Sequence, residues 1–291
     1  MDYRGRFAPS PTGRLHFGSL AAAVASWLCA RHAGGRWLVR MEDIDPPREV
    51  AGAATGILTA LPAFGLVADE AVLFQSQRRA AYDAAFEQLR AAGHVFACTC
   101  SRSDLAANGG LHGDGRCARP GRSGHAPAWR LRVPDGDIRF HDALQGPQRQ
   151  NLRQQVGDFV IRRADGIYSY QLACVVDDAF QQVTEVVRGH DLLDSTPRQI
   201  WLQRCLDLPT PAYRHLPLAL DERGHKLSKS AQALPVDTAN PLPVLRGAAR
   251  FLELPWHEGA ADVHEALAFL LRHVQPDGLP RHNRCWTARR P

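Results

Sequence analysis

The pattern of apolar and polar positions switches repeatedly between the periods of strands and helices. Phe7-Ala8-Pro9-Ser10-Pro11-Thr12-Gly13 starts with β-compatible positions and breaks on two prolines and a glycine, which predicts a strand running into a rigid loop. From Ser19 to Arg31 the apolar residues Leu20, Val24, Trp27 and Leu28 recur at helical spacing, with Gly18-Ser19 as the expected N-cap. Arg36 to Met41 reads as a short apolar strand that delivers the acidic run Glu42-Asp43-Ile44-Asp45 to its C-terminal end, and 51–64 and 78–92 read as helices. Strand and helix alternate, so an α/β fold with a mostly parallel sheet is expected. In such sheets ligands sit beyond the carboxyl ends of the strands, which places the Pro9-to-His16 loop and Glu42 at one pocket.

The segment 98–130 is rich in glycine and arginine, has little periodicity, and reads as an insertion that needs another source of order. Strand-like runs return at Phe159–Arg162, Tyr168–Ala173 and Val183–Val187, followed by helices at 196–207, 241–252 and 261–274. The expected organisation is a first half of the α/β domain at 1–97 and an inserted subdomain at 98–157. The second half follows at 158–235, and a helical C-terminal region at 236–291.

With 291 residues, 45% of them hydrophobic and 22% charged, the chain can bury a substantial core, which argues against wholesale disorder or a fibrous rod. The longest apolar runs, 20–30 and 266–271, are shorter than a membrane span, and the first ten residues do not read as a secretory signal. A cytoplasmic monomer is expected. Seven cysteines, three of them (Cys98, Cys100, Cys117) close in sequence, suggest thiols or a metal rather than disulfides. Cys29, Cys174, Cys205 and Cys285 read as small core residues. The net charge of +5 suits a polyanionic partner without demanding one. Arg246, Arg250, Arg272, Arg281, Arg284, Arg289 and Arg290 offer cations toward nucleic-acid phosphates, or form an ordinary solvated face.

The chain has 35 basic Lys and Arg residues, yet Lys226 and Lys229, in Lys226-Leu227-Ser228-Lys229-Ser230, are its only lysines. Two lysines on a short loop can clamp the β- and γ-phosphates of ATP where charge develops during attack on the α-phosphate, although such a string is also an ordinary solvated loop. His16-Phe17-Gly18-Ser19 at a helix N-terminus is a second phosphate-compatible element, with an imidazole donor, a glycine permitting close approach and a favourable dipole.

These two elements, together with Arg6-Phe7-Ala8-Pro9-Ser10-Pro11-Thr12-Gly13, resemble the signatures of class I glutamyl-tRNA synthetases over most of residues 4–240. Only about 60 residues follow the lysine loop, too few for that family's helical anticodon-binding region. With Cys98-Thr99-Cys100 and Arg188-Gly189-His190-Asp191-Leu192-Leu193, the pattern is similar to the branch that attaches glutamate to the queuosine at the wobble position of tRNA(Asp).

The resemblance implies a Rossmann-like, doubly wound catalytic domain. It implies ATP with Mg2+, L-glutamate and queuosine-bearing tRNA(Asp) as ligands, and catalytic roles for His16, Ser19, Lys226 and Lys229. It places His16, Gly18 and Lys229 on ATP. Glutamate falls to Arg6, Phe7, Ala8, Pro9, Ser10, Glu42, Tyr170 and Arg188, an inventory of cations, hydrogen-bonding groups and one anion that suits two carboxylates and an ammonium. Each has an ordinary alternative: the arginines as surface residues, Glu42 as a cap or salt-bridge partner, Tyr170 as core. The constellation carries the assignment.

Zinc is expected on Cys98, Cys100 and Cys117, an efficient way to order a glycine-rich insertion. The family's fourth ligand is a tyrosine four residues before the last cysteine, where this chain has Gly113. His112 is the nearest replacement, with Asp114 and His125 as alternatives. The competing functional readings are a truncated synthetase charging a tRNA 3′ end, a catalytically silent tRNA-binding paralogue, and a related nucleotidyl transferase acting on a small molecule.

Overall fold

A computed structural model describes residues 2–106, 109–113, 117, 126–225, 227 and 235–286. The elements begin with β1 (Arg4–Phe7), α1 (Phe17–His32), β2 (Arg36–Met41), α2 (Ala53–Ala63), β3 (Leu73–Phe74), α3 (Arg79–Ala91), β4 (Val95–Cys98) and α4 (Arg102–Ala106). Next come β5 (Ala128–Leu131), β6 (Asp137–Asp142), β7 (Gly146–Asn151), α5 (Leu152–Gln155), β8 (Phe159–Arg162), α6 (Tyr170–Phe180), β9 (Glu185–Gly189) and α7 (Thr196–Cys205). The chain continues through β10 (Ala212–Leu216), β11 (Ala219–Leu220), α8 (Pro241–Phe251), α9 (Val263–His273) and β12 (Arg284–Cys285).

Strands β1, β2 and β3 pair in parallel, and β9, β10 and β6 form a second parallel set with β7 antiparallel at its edge. The Thr184 N–H donates to the Arg4 carbonyl at 2.9 Å, which brings the start of β9 against β1. The two sets therefore meet where the winding reverses, the position at which doubly wound sheets open a crevice. One core cluster packs α1, α2, α8 and α9 around Trp37, Val39 and Met41; a second joins α3, α6 and α7 around Val186 and Tyr213. Trp37 to Met41 are all buried, as expected of a central strand.

Antiparallel β4, β5 and β8 form a small separate sheet that brackets the glycine-rich segment. Two strands within 98–157, β6 and β7, instead extend the sheet of β9 and β10, with β6 beside β10 and β7 at the edge, and β8, from the segment after it, belongs to the small sheet. The boundary at 157/158 does not follow the sheets.

Tyr168–Ala173 is not a strand: α6 begins at Tyr170, with Ser169 Oγ accepting from the Leu172 N–H at 3.4 Å. The alternation of Tyr, Ser, Tyr and Gln covers only the cap and the first turn, and the run to Phe180 carries the helical period. The cap of α1 is His16 rather than Gly18-Ser19, its ring accepting from the Ser19 N–H at 3.3 Å. Of the four cysteines expected in the core, Cys29 and Cys174 are buried, Cys205 is partly buried and Cys285 is exposed. At the C-terminal end β12 pairs with β11, and Trp286 stacks on Phe17 at 4.2 Å beside the cap of α1. No helix among the described residues is long and apolar enough to cross a membrane.

Candidate active site

A cavity of about 620 Å3 opens at the carboxyl ends of β1, β2 and β9. Its lining includes Arg6, Phe7, Ala8, Pro9 and Ser10 from β1 and the loop after it, His16, Gly18 and Ser19 from the start of α1, and Glu42, Tyr170 and Arg188. The expected glutamate residues and the expected His16 element thus share one crevice. Lys226 and Lys229 lie outside the described residues. Their neighbours do not: Leu227 lines the cavity, Pro235 forms an antiparallel bridge with His16, and the Val236 N–H donates to the Leu15 carbonyl at 2.9 Å.

The arginines are not surface residues. Arg6 is 3% and Arg188 5% exposed, so each requires fixed partners. Arg6 Nε donates to Asp178 Oδ1 at 3.2 Å, and the same oxygen accepts from Arg40 Nη1 at 2.7 Å. Arg40 Nη2 also donates to Glu42 Oε1 at 3.3 Å and to Cys174 Sγ at 3.6 Å. Burial opposes the Asp178 charge, but Arg40 and Arg6 outweigh it and hold the carboxyl at about 2. Glu42 is different: burial pushes its carboxyl up despite Arg40 and Arg6. A cationic ligand group beside Glu42 would favour its charged form. Cys174, expected among apolar neighbours, lies inside this polar network, where burial and Asp178 raise its thiol to about 12.

Arg188 is held by a second network. Its Nε donates to His215 Nε2 at 3.0 Å, Nη2 to Thr196 Oγ1 at 2.8 Å and the Leu192 carbonyl at 3.2 Å, and Nη1 to the Tyr170 hydroxyl at 3.3 Å. His215 in turn lies 2.5 Å from Asp142. Burial raises the Tyr170 phenol well above its ordinary value, and the Arg188 charge offsets only part of that rise. Sequence reading missed Arg40, Asp178, His215 and Asp142. One signal was present: an arginine inside Trp37-Leu38-Val39-Arg40-Met41 and two aspartates inside an apolar helical run must have partners if buried.

In the insertion, the sulfurs of Cys98, Cys100 and Cys117 lie within 4.8 Å of one another. His112 Nε2 is 3.9 Å from Cys100 Sγ, and Cys100 Sγ is 3.7 Å from Cys117 Sγ. Thiolates around a tetrahedral zinc stand about 3.8 Å apart, so the three sulfurs fit such an ion, with His112 beside Cys100. His112 Nδ1 lies 3.2 Å from Asp158 Oδ2, with both side chains buried, the outer partner a metal-binding imidazole uses to fix its tautomer. Gly157 makes this approach possible: its φ is +71°, and a Cβ there would stand 2.6 Å from the His112 backbone nitrogen. Asp114 and His125 lie outside the described residues.

Among the C-terminal arginines, Arg246 pairs with Glu258 and Arg284 with Glu253, which tempers the cationic face expected there. Arg289 and Arg290 lie outside the described residues.

The family described as tRNA synthetases class I (E and Q), catalytic domain, matches residues 2–241. Glutamyl-Q tRNA(Asp) synthetase of Xanthomonas axonopodis pv. citri (strain 306) is 55% identical over 285 residues, covering 96% of this chain and 93% of the relative. The protein of the same name from Neisseria meningitidis serogroup C (strain 053442) is 50% identical over 289 residues, covering 96% and 98%. The crystal structure of a glutamate-tRNA synthetase from Elizabethkingia anophelis superimposes with a TM-score of 0.82 at 25% identity, covering 99% of this chain and 68% of that one. With a doubly wound sheet, a crevice at its switch point and relatives this similar over nearly their whole length, the chain belongs to the glutamyl-Q tRNA(Asp) synthetases, within the class I catalytic family for glutamate and glutamine.

Proposed function

We propose that this chain activates L-glutamate with ATP and transfers the glutamyl group to the queuosine of tRNA(Asp). The observation that carries the chemistry is the convergence of distant stretches on one crevice: the β1 loop and His16 from the start of the chain, and Leu227, inside the lysine string, with Pro235, five residues beyond it, bridged to His16. The acceptor follows the relatives' name. In the first step a glutamate α-carboxylate oxygen attacks the α-phosphorus of ATP, and pyrophosphate leaves. A queuosine hydroxyl then attacks the acyl carbon, the acyl–phosphate bond breaks, and AMP leaves, with the hydroxyl proton passing to the departing phosphate or to solvent. The carboxylate is already ionised and the anhydride is activated, so positioning and charge carry both steps without a dedicated general base.

In this reading Arg6 and Arg188 meet the glutamate carboxylates, Tyr170 supplies a hydrogen bond, Glu42 receives the ammonium, and the segment Phe7 to Ser10 shapes the wall. His16, Gly18 and Ser19 at the N-terminus of α1, with Lys226 and Lys229, take the triphosphate; Mg2+ enters with the nucleotide. Labelled glutamate and ATP offered to tRNA(Asp) from cells with and without queuosine are expected to label only the queuosine-bearing pool. Equal labelling of both pools overturns the acceptor assignment in favour of charging at a 3′ end.

We also propose a structural zinc held by Cys98, Cys100, Cys117 and His112. When bound it would cross-link the glycine-rich insertion to β4, and its contribution is to folding rather than to the reaction. Burial holds the Cys98 thiol at about 11, so in the absence of a cation this sulfur stays protonated at neutral pH. Metal analysis of purified protein is expected to give one zinc per chain, and His112→Ala is expected to release it on dialysis against a weak chelator. Full zinc retention in that variant places the fourth ligand elsewhere.

A further inference from the structure

Three neighbouring strands, of which β9 and β10 end at the crevice, each contribute one residue to a buried chain of hydrogen bonds. Asp142 is the last residue of β6, His215 lies in β10, and Arg188 lies in β9 directly opposite His215 in the parallel register. Asp142 and His215 are fully buried. A guanidinium nitrogen can only donate, so the 3.0 Å contact makes His215 Nε2 the acceptor. The ring proton is therefore on Nδ1, which donates to Asp142 Oδ2 at 2.5 Å. Burial holds the imidazole at about 4, so it stays neutral near pH 7 and keeps an acceptor lone pair toward Arg188.

Asp142 is itself immobilised. Its other oxygen, Oδ1, accepts from the backbone N–H groups of Leu144 at 3.0 Å, Gln145 at 2.9 Å and His215 at 3.2 Å. At the other end, four of the five Arg188 N–H groups are committed, to His215, Thr196, Leu192 and Tyr170. The guanidinium plane is thus fixed before any ligand arrives, with an Nη1 hydrogen remaining for it.

We propose that Asp142 and His215 are positioning residues for substrate recognition: through a single imidazole tautomer they hold the Arg188 guanidinium in the orientation that meets a carboxylate of the amino-acid substrate. The inference rests on the reading of Arg188 as a carboxylate contact. It makes Asp142→Asn an unusually informative change, equal in size and different in one group. Three backbone donors at Oδ1 require the amide oxygen there, which puts the amide NH2 in place of Oδ2, facing His215 Nδ1. The ring must then accept at Nδ1 and carry its proton on Nε2, opposing the Arg188 Nε–H donor with a second donor. His215→Gln removes this dependence, because its side-chain oxygen can accept from Arg188 without a tautomer to be set.

The test is glutamate-dependent ATP–pyrophosphate exchange, measured for wild type, Asp142→Asn, His215→Gln, the double variant and Arg188→Ala. Asp142→Asn is expected to raise KM for glutamate by about tenfold or more, with KM for ATP within about twofold. His215→Gln is expected to stay within about threefold of wild type, and adding Asp142→Asn to it to cost less than about twofold more. A general packing role would instead shift both KM values together and act equally in both backgrounds, and that result overturns the proposal. So does an unchanged glutamate KM in Asp142→Asn beside a raised one in Arg188→Ala, which leaves the carboxylate reading of Arg188 standing. An unchanged glutamate KM in Arg188→Ala removes that reading and the relay with it. If Asp142→Asn does not fold, His215→Asn against His215→Gln decides: only the glutamine places an acceptor at the Nε2 position, and equal KM values for the two overturn the proposal.

Discussion

Asp178→Ala is expected to destabilise the fold by about 3–5 kcal/mol, the range for breaking a buried ion pair by deleting one partner. The carboxylate stands between two guanidiniums, Arg40 Nη1 at 2.7 Å and Arg6 Nε at 3.2 Å, and also accepts from the Cys174 thiol at 3.4 Å. Alanine leaves both arginines buried, with Glu42 as the remaining carboxylate of the network, and burial already disfavours the charge of Glu42. Asp178→Asn keeps the volume and one acceptor and is expected to fall between wild type and alanine in urea unfolding. The pH dependence gives a second check. The Asp178 carboxyl titrates at about 2 in the folded protein, below the ordinary 3.8, so the unfolded chain binds its proton first as pH falls. Its contribution is complete above about pH 4 and disappears toward pH 2, amounting to about 2 kcal/mol. Asp178→Asn should flatten that part of the stability profile. A loss below about 1 kcal/mol in the alanine variant would mean that Arg6 and Arg40 do not depend on this carboxylate.

That network also shows where sequence reading stops. Strand β2 was legible to the residue, because five successive buried positions between two turn signals have few other solutions. Helices α1, α2, α3, α8 and α9 were legible to within two residues at each end, since their apolar positions hold the 3.6-residue period. Helix α6 was misread because six residues of its entry alternate like a strand, and only the Ser169 cap and the run beyond Ala173 decide the matter. The residues lining the crevice were found through a family pattern of short motifs near strand ends. Their supports were not, because Arg40 and Asp178 are 138 positions apart and Asp142 and His215 are 73 apart. No local period encodes such a pair. A charged residue in an apolar strand signals that a partner exists, but tertiary folding alone says which.

His16 carries the second large effect, and two substitutions separate its observed role as a cap from its proposed contact with the triphosphate. As the cap of α1 it accepts from the Ser19 N–H through Nδ1, and its Nε2 lies 3.0 Å from Ser19 Oγ at the mouth of the cavity. Asparagine is among the best capping residues, so His16→Asn should keep α1 anchored, with a melting temperature within about 2 °C of wild type. The imidazole reach is lost all the same, and kcat for glutamate-dependent pyrophosphate exchange is expected to fall by about 10²–10³, the scale for deleting one preorganised donor to developing phosphate charge. His16→Ala removes the cap as well and should add about 1 kcal/mol of destabilisation to the same catalytic loss. The contrast discriminates because Phe17, one residue on, is clamped by Trp286, so α1 has packing that does not pass through the cap. Wild-type exchange in His16→Asn would restrict His16 to capping and leave phosphate binding to the backbone N–H groups of α1 and the two lysines.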